Sequence, residues 1–246
     1  MSRGIFITGT GTDVGKTVVT AAVLRGARTA GIDAVPFKPV QTGAVAGPDG
    51  LVAPDVEFVL AAGGWTPPRD EIAALSPFLY RPACSPHLAG RLAGRPVQMD
   101  AVLARATELL ARHDSLIVEG AGGVMVPLNE SQTMLDLMVA LAMPVLVVAL
   151  DGLGTINHTL LTLAALRQAG LDVLGVVFNQ PEPLGGTAEF IRRDNPGTIA
   201  RFGDTAVLGV LPHVTGLASG DATSWATVEA SLTGLPVILE RLRKND

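Results

Sequence analysis

The sequence predicts a doubly wound α/β fold, a mostly parallel sheet flanked by helices on both faces. Three observations predict it. Short runs that are apolar along their whole length recur down the chain, as strands do when both faces of a parallel sheet are covered. Stretches of helical period separate those runs. The first run passes through a glycine-rich turn straight into a helical stretch. Ligands in such folds sit beyond the carboxyl ends of the strands.

Gly4 to Thr8 reads as the first strand. Gly15 to about Ala30 reads as a helix that Gly31 ends, and Asp33 to Lys38 as the second strand. Met99, Val102, Leu103, Ala106, Leu109 and Leu110 recur at spacings of three and four and mark one face of a helix. Leu116-Ile117-Val118 follows as a buried strand that Glu119 ends. A helix from Met134 to Ala142 precedes a strand from Pro144 to Leu150. Thr155 to Ala169 is then a helix, Val173 to Phe178 a strand, about Thr187 to Arg201 a helix, and Ala206 to Leu211 the last strand. A helix after Pro236 closes the chain. Right-handed crossovers join these units. Ala44 to Pro86, rich in Gly and Pro, is the least regular stretch, either a cap over the site or a variable surface. No good boundary divides the chain, so 1–246 reads as one domain.

Hydrophobic residues make up 48% and charged residues 17% of the 246, enough to bury a core and unlike a disordered chain. The net charge is -5, with no basic run, which argues against nucleic acid as a partner. Cys84 is the single cysteine. It excludes an internal disulfide or a cysteine metal cluster and fits a reducing compartment. The N-terminus turns polar too soon for a signal peptide. The apolar run around Ala140 to Leu150 contains Pro144 and ends at Asp151, too short to span a bilayer. The expectation is a cytoplasmic protein with no membrane partner. His87, His113, His158 and His213 are scattered and suggest no zinc site.

The chemistry begins after the first strand, at Gly9-Thr10-Gly11-Thr12-Asp13-Val14-Gly15-Lys16-Thr17. Glycines let backbone N–H groups wrap around phosphate oxygens. The helix N-terminus adds positive potential. Lys16 is placed to bridge the β- and γ-phosphates, and the Thr17 hydroxyl to face Mg²⁺. Thr10 takes the first glycine position of the usual G-x-x-x-x-G-K-[ST] pattern, with Gly9 just before it. The context is that of a P-loop NTPase-like fold.

Glu119 opens Glu119-Gly120-Ala121-Gly122-Gly123. It stands where an acidic Mg²⁺ ligand, direct or through water, belongs; alone it reads equally as a charged strand end before a flexible turn. Asp55 precedes Val56-Glu57-Phe58-Val59-Leu60 and reads as a metal ligand or a helix N-cap, with Asp49 a competing candidate.

Four motifs stand in order: Gly9 to Thr17, Phe37-Lys38-Pro39-Val40-Gln41-Thr42-Gly43, Glu119 to Gly123, and Gly152-Leu153-Gly154-Thr155-Ile156-Asn157-His158. Together they resemble the dethiobiotin synthetase family, from residue 1 to roughly residue 215, and Cys84-Ser85-Pro86-His87 and Phe178-Asn179 fit too. The resemblance implies ATP-dependent ring closure of 7,8-diaminononanoate with CO₂, through a carbamate and a carbamic-phosphoric anhydride. Lys16, Lys38 and Mg²⁺ would offset the negative charge there, and Thr17, Asp55 and Glu119 form the Mg²⁺ set, favouring Asp55 over Asp49. Thr12, Asp13, Val14, Gly15, Val18, Gly120, Ala121 and Gly122 join the ATP site. Thr42, often serine in the family, and Gly122 contact the substrate.

The same resemblance places Asn179 and Gln180 at the adenine, an amide having the donor and acceptor to read it, although Asn179 also suits a simple turn. Pro212-His213-Val214 resembles a second base contact. Leu153, Gly154, Thr155 and Asn157, at a helix start, grip the substrate carboxylate and come from a neighbouring subunit, which implies a homodimer with shared sites. His158 reads as a packing or capping residue.

Two other classes compete. An amidotransferase-type ATP ligase needs a glutaminase domain for which the length leaves no room. A partition- or localisation-type P-loop ATPase without a metabolite substrate wants a second loop lysine where Gly11 stands, or an amphipathic membrane-targeting tail; Leu239 to Lys244 is short.

Overall fold

The computed structural model describes residues 3–181 and 189–243. In chain order the elements are β1 (Gly4–Gly9), α1 (Lys16–Thr29), β2 (Ala34–Phe37), β3 (Val40–Thr42), β4 (Val45–Gly47), β5 (Gly50–Val52), α2 (Pro54–Ala62), α3 (Arg69–Leu75), β6 (Phe78–Tyr80), α4 (Pro86–Leu92) and α5 (Met99–Arg112). They continue with β7 (Ser115–Gly123), α6 (Met134–Leu141), β8 (Val145–Leu150), α7 (Thr155–Gln168), β9 (Val173–Asn179), α8 (Glu189–Gly203), β10 (Val207–Leu211), a short 3₁₀ turn, α9 (Ala222–Ser231) and α10 (Leu235–Leu242).

Six strands form one sheet in the order β10-β9-β8-β1-β7-β2, and every pairing in it is parallel. The alternation of a strand sends successive side chains to opposite faces, and two apolar layers result. Phe6, Val118, Val145, Val147 and Phe178 point to one face, where α5, α6, α7 and α8 cover them with Val102, Leu137, Leu163 and Ile199. Ile5, Ile7, Ile117, Leu146 and Val148 point to the other, covered by Val19 and Val23 of α1, Val59 of α2, Trp225 of α9 and Ile238 of α10. Both faces are thereby dry, which is why these strands read as continuous apolar runs.

The chain leaves the central strand β1 for the edge strand β2, returns to β7, then crosses to β8 on the other side of β1. That reversal opens a crevice at the carboxyl end of β1. All six sheet strands fall where the apolar runs place them, and the start of the helix expected from Thr187 lies outside the described residues.

Two expectations need correction. Glu119 does not end its strand: β7 continues to Gly123, with Glu119 opposite Ile7 and Gly123 opposite Gly9, because the glycine run follows β1 closely. The 44–86 stretch is not irregular: it holds a β4–β5 hairpin, two helices, and the strand β6, which pairs in parallel with β3 just before the stretch. Among the described residues no helix is long and apolar enough to cross a membrane.

Phe178 is wholly buried, whereas Phe190 on α8 is 72% exposed. Phe178→Ala is expected to lower unfolding free energy by about 3–5 kcal/mol, and Phe190→Ala to change it by less than about 0.5 kcal/mol. Urea unfolding of the two variants compares them; similar losses would contradict this core assignment.

Candidate active site

The loop after β1 takes its shape from Gly15, the residue before α1, which has φ 98°. A Cβ there would lie 2.1 Å from Asn179 Nδ2. Only glycine provides both the left-handed backbone and the space. Asn179, at the end of β9, donates from Nδ2 to the Val14 carbonyl at 3.1 Å and so fastens the loop to the sheet. Lys16 opens α1 and donates to the Gly11 carbonyl at 2.8 Å.

Three segments meet at Glu119, which is 3% exposed. Its Oε1 accepts from Thr17 Oγ1 at 2.9 Å and from Lys38 Nζ at 2.6 Å. Lys38 follows β2, and its backbone N–H donates to the Leu75 carbonyl, which fixes where its side chain starts. Its ammonium also pairs with Asp55 Oδ2 at 2.7 Å. Asp55 is no N-cap: Ala53 holds that place, Pro54 occupies the first turn, and Asp55 stands beside it, free to reach across to Lys38.

The two lysines differ electrically. Burial pulls the Lys38 ammonium down, but Glu119 and Asp55 together outweigh it and hold its pKa above the ordinary lysine value. Lys16 is lowered to about 8, first by burial and then by the Lys38 charge, against weaker pulls from Glu119, Asp55 and Asp13. An anion is what Lys16 lacks.

A cleft of about 790 Å³ collects these groups. Of the residues expected in a site, Thr12, Asp13, Gly15, Lys16, Thr17, Val18, Lys38, Thr42, Asp55, Glu119, Ala121 and Gly122 line it. Val14 and Gly120 are buried behind its wall. Asn179 touches the loop from behind. Gln180 turns to Asp151, donating at 2.8 Å, and His213 Nδ1 to the Pro181 carbonyl at 2.7 Å; these two, with Pro212 and Val214, lie outside the cleft lining. So do Leu153, Gly154, Thr155 and Asn157. Leu153 is 86% exposed, and Thr155 opens α7 behind Gly154, at φ 92°.

Thr17, Asp55 and Glu119 offer a hydroxyl and two carboxylates, the hard oxygen donors that suit Mg²⁺ with phosphate or water completing the shell. Among the described residues no group of three or more His, Cys, Asp or Glu could hold a metal, so a cation here would rest on this mixed set. Sequence reasoning passed over Gln41 and Val126 as cleft residues. Gln41 is buried and donates to the Thr42 carbonyl at 2.8 Å. Its place between Lys38 and Thr42 was the available signal. Val126 carried none.

Comparison with known proteins decides the family. A family model described as "AAA domain" matches residues 3–220. The chain is 44% identical to the ATP-dependent dethiobiotin synthetase BioD of Anaeromyxobacter sp. (strain K), over 85% of this chain and 90% of that protein. It is 36% identical to the protein of the same name from Halalkalibacterium halodurans, over 86% and 85%. The chain belongs to the dethiobiotin synthetase family. A chain of the MinC:MinD cell division protein complex of Aquifex aeolicus matches in structure with TM-score 0.59 and 12% identity, over 99% of this chain and 97% of that one. The septum site-determining protein MinD of Pyrococcus horikoshii does so with TM-score 0.54 and 16% identity, over 98% and 95%. At those identities the likeness concerns the fold, which this dethiobiotin synthetase family member shares with P-loop NTPases.

Gly15→Ala is expected to weaken ATP binding by at least ~100-fold, since backbone strain and the overlap with Asn179 both displace the loop; calorimetric titration with Mg-ATP checks it, and near-native affinity would contradict the loop geometry. A triphosphate favours the charged form of Lys16, whose neutral form predominates in the free site above about 8. ATP binding at a pH above that value should therefore take up protons, and at pH 7 much less so. Titrations in buffers of different ionisation enthalpy measure the uptake, and a binding heat independent of buffer at the higher pH would refute it.

Proposed function

We propose that the chain is an ATP- and Mg²⁺-dependent dethiobiotin synthetase, a cyclo-ligase that joins 7,8-diaminononanoate and CO₂ into a cyclic urea. The observation that carries this is the convergence of Lys16, Lys38, Thr17, Asp55 and Glu119 in one cleft with Thr42 and Gly122. One amine adds to CO₂ and sheds a proton to give a carbamate. A carbamate oxygen attacks the γ-phosphorus and ADP leaves, forming the carbamic-phosphoric anhydride. The second amine attacks the carbamoyl carbon, phosphate departs, and the ring closes.

Little covalent work falls to the protein in such a transfer, so positioning and charge do most of it. Lys38, kept cationic by its two carboxylates, presents positive charge to the transferring phosphoryl group. Lys16 adds the second charge from the loop. Thr17, Asp55 and Glu119 would hold Mg²⁺, which when bound supplies charge neutralisation for the phosphates. The Thr42 hydroxyl and the Gly122 backbone face the reacting amines.

On this reading Asn179, Gln180 and Pro212 to Val214 serve the base end of the nucleotide. Leu153, Gly154, Thr155 and Asn157 lie outside the cleft of their own chain and serve the site of a second copy, in a cytoplasmic homodimer of single-domain subunits. The partition-type alternative finds no support in the loop, where Gly11 stands in place of the second lysine.

The test is phosphate release from Mg-ATP with bicarbonate, with and without 7,8-diaminononanoate, while dethiobiotin is followed by mass. Diamine-dependent release with one dethiobiotin per ATP is expected; hydrolysis indifferent to the diamine would overturn the reading. Lys38→Ala is expected to lower turnover by about 10²–10³-fold in a folded protein, and near-normal synthesis would remove its role. Asn179→Ala should weaken ATP more than other triphosphates; an unchanged nucleotide preference, measured by competition binding, would end its assignment to the base.

A further inference from the structure

Another buried carboxylate, Asp151, is not part of the cleft lining. Asp151, directly after β8, is 4% exposed, and Asn195, on α8, is 2% exposed. Asp151 Oδ1 accepts from Asn195 Nδ2 at 3.0 Å, and Oδ2 accepts from Gln180 Nε2 at 2.8 Å. The same Asn195 nitrogen reaches the Gly152 carbonyl at 3.3 Å. The Asp151 backbone N–H donates to the Asn179 carbonyl at 3.1 Å, and Asn179 holds the Val14 carbonyl of the phosphate loop. Strand β8 meets that loop directly as well, through the Thr10 N–H on the Val148 carbonyl at 3.0 Å.

An unbroken chain of hydrogen bonds therefore runs from the phosphate loop, through the ends of β9 and β8, to the turn that presents Leu153. A buried carboxylate is expensive to desolvate and is tolerated when its oxygens are bonded. A hydrophobic pair could fill the space but would fix neither amide orientation. Asp151 does fix them: an acceptor-only group forces both Gln180 and Asn195 to turn their NH₂ groups inward, which turns the Gln180 carbonyl oxygen away from the carboxylate.

We propose that Asp151 and Asn195 form a brace that positions the Asn179–Gln180 strand end and the Gly152–Gly154 turn, so that nucleotide affinity depends on an ion–amide pair that touches no ligand. Asp151 and Asn195 are positioning residues. The brace rests on the nucleotide-site reading above only in taking the β9 end as part of the ATP site; the dethiobiotin chemistry is not needed for it. Because the brace also carries the Leu153 turn, disturbing it changes the two ends of the network together.

The test is direct binding of Mg-ATP without diamine, alongside steady-state dethiobiotin synthesis and thermal melting of each variant. Asn195→Asp sets two carboxylates against each other and is expected to weaken ATP binding about tenfold or more. Asn195→Ala, which removes the donor without adding charge, should weaken it less, and it keeps the test open if Asn195→Asp does not fold. The exchange Asp151→Asn with Asn195→Asp restores a carboxylate–amide pair in reversed order and should recover ATP affinity to within about threefold. Recovery supports the brace, since a merely space-filling role would not respond to the exchange. Unchanged ATP affinity in folded Asn195→Asp or Asn195→Ala, or an exchange variant no better than the worse single variant, overturns it. Wild-type protein that binds ATP but makes no dethiobiotin would instead refute the proposed function, leaving the binding comparison to decide the brace.

Discussion

The Glu119 carboxylate, nearly sealed from water at the centre of β7, sets the terms for the rest of the site. Its burial is tolerable because Thr17 and Lys38 both bond to one of its oxygens. Those partners arrive from different segments, the helix after β1 and the segment after β2. The contact is thus a three-way joint that closes only when the parallel register of β1, β7 and β2 is right. Losing either end would strand a charge in a dry place, which is far more damaging than the pair's net contribution to stability. Asp55 adds the second carboxylate to Lys38 from α2, and that draws the 44–86 stretch into the site as one of its walls.

Charge within the cleft is unevenly shared. Lys38 has two carboxylates, while Lys16 has a backbone carbonyl and a cationic neighbour. The cleft therefore holds one satisfied cation and one that gains from an incoming anion. A chain of net charge -5 can attract a triphosphate because a local field inside low-dielectric walls, rather than the molecular total, acts on the ligand. The phosphate loop adds its own N–H groups and the N-terminus of α1 to that field.

The six sheet strands were legible because burial on both faces leaves an unmistakable apolar run, and the phosphate loop because Gly15-Lys16-Thr17 sits between a strand and a helix. The strands of the 44–86 stretch, and β3 just before it, have three residues each, too few for a period to show among glycines and prolines. Glu119 was legible as an acid near a strand end, but the continuation of its strand through four small residues was not, since a glycine run reads as a turn. Asp55 owes its place to Lys38, and nothing near it in sequence states that partnership. Asn179 is the sharpest case: its hold on Val14 spans 165 residues and exists only because β9 lies two strands from β1.

Two glycines of the phosphate loop separate what the fold demands from what the chemistry selects. Gly15 cannot carry a side chain without striking Asn179, whereas a Cβ at Gly11 would meet only Val14 Cγ1, at 3.9 Å. The backbone at Gly11 would accept a larger residue, so packing does not explain the missing second lysine there. A frame shared with MinD at 12–16% identity is compatible with quite different content at this position. Fold likeness accordingly says little about activity. Beyond the phosphate loop the cleft is also lined by Lys38, Thr42, Asp55 and Gly122, groups that a shared frame does not dictate.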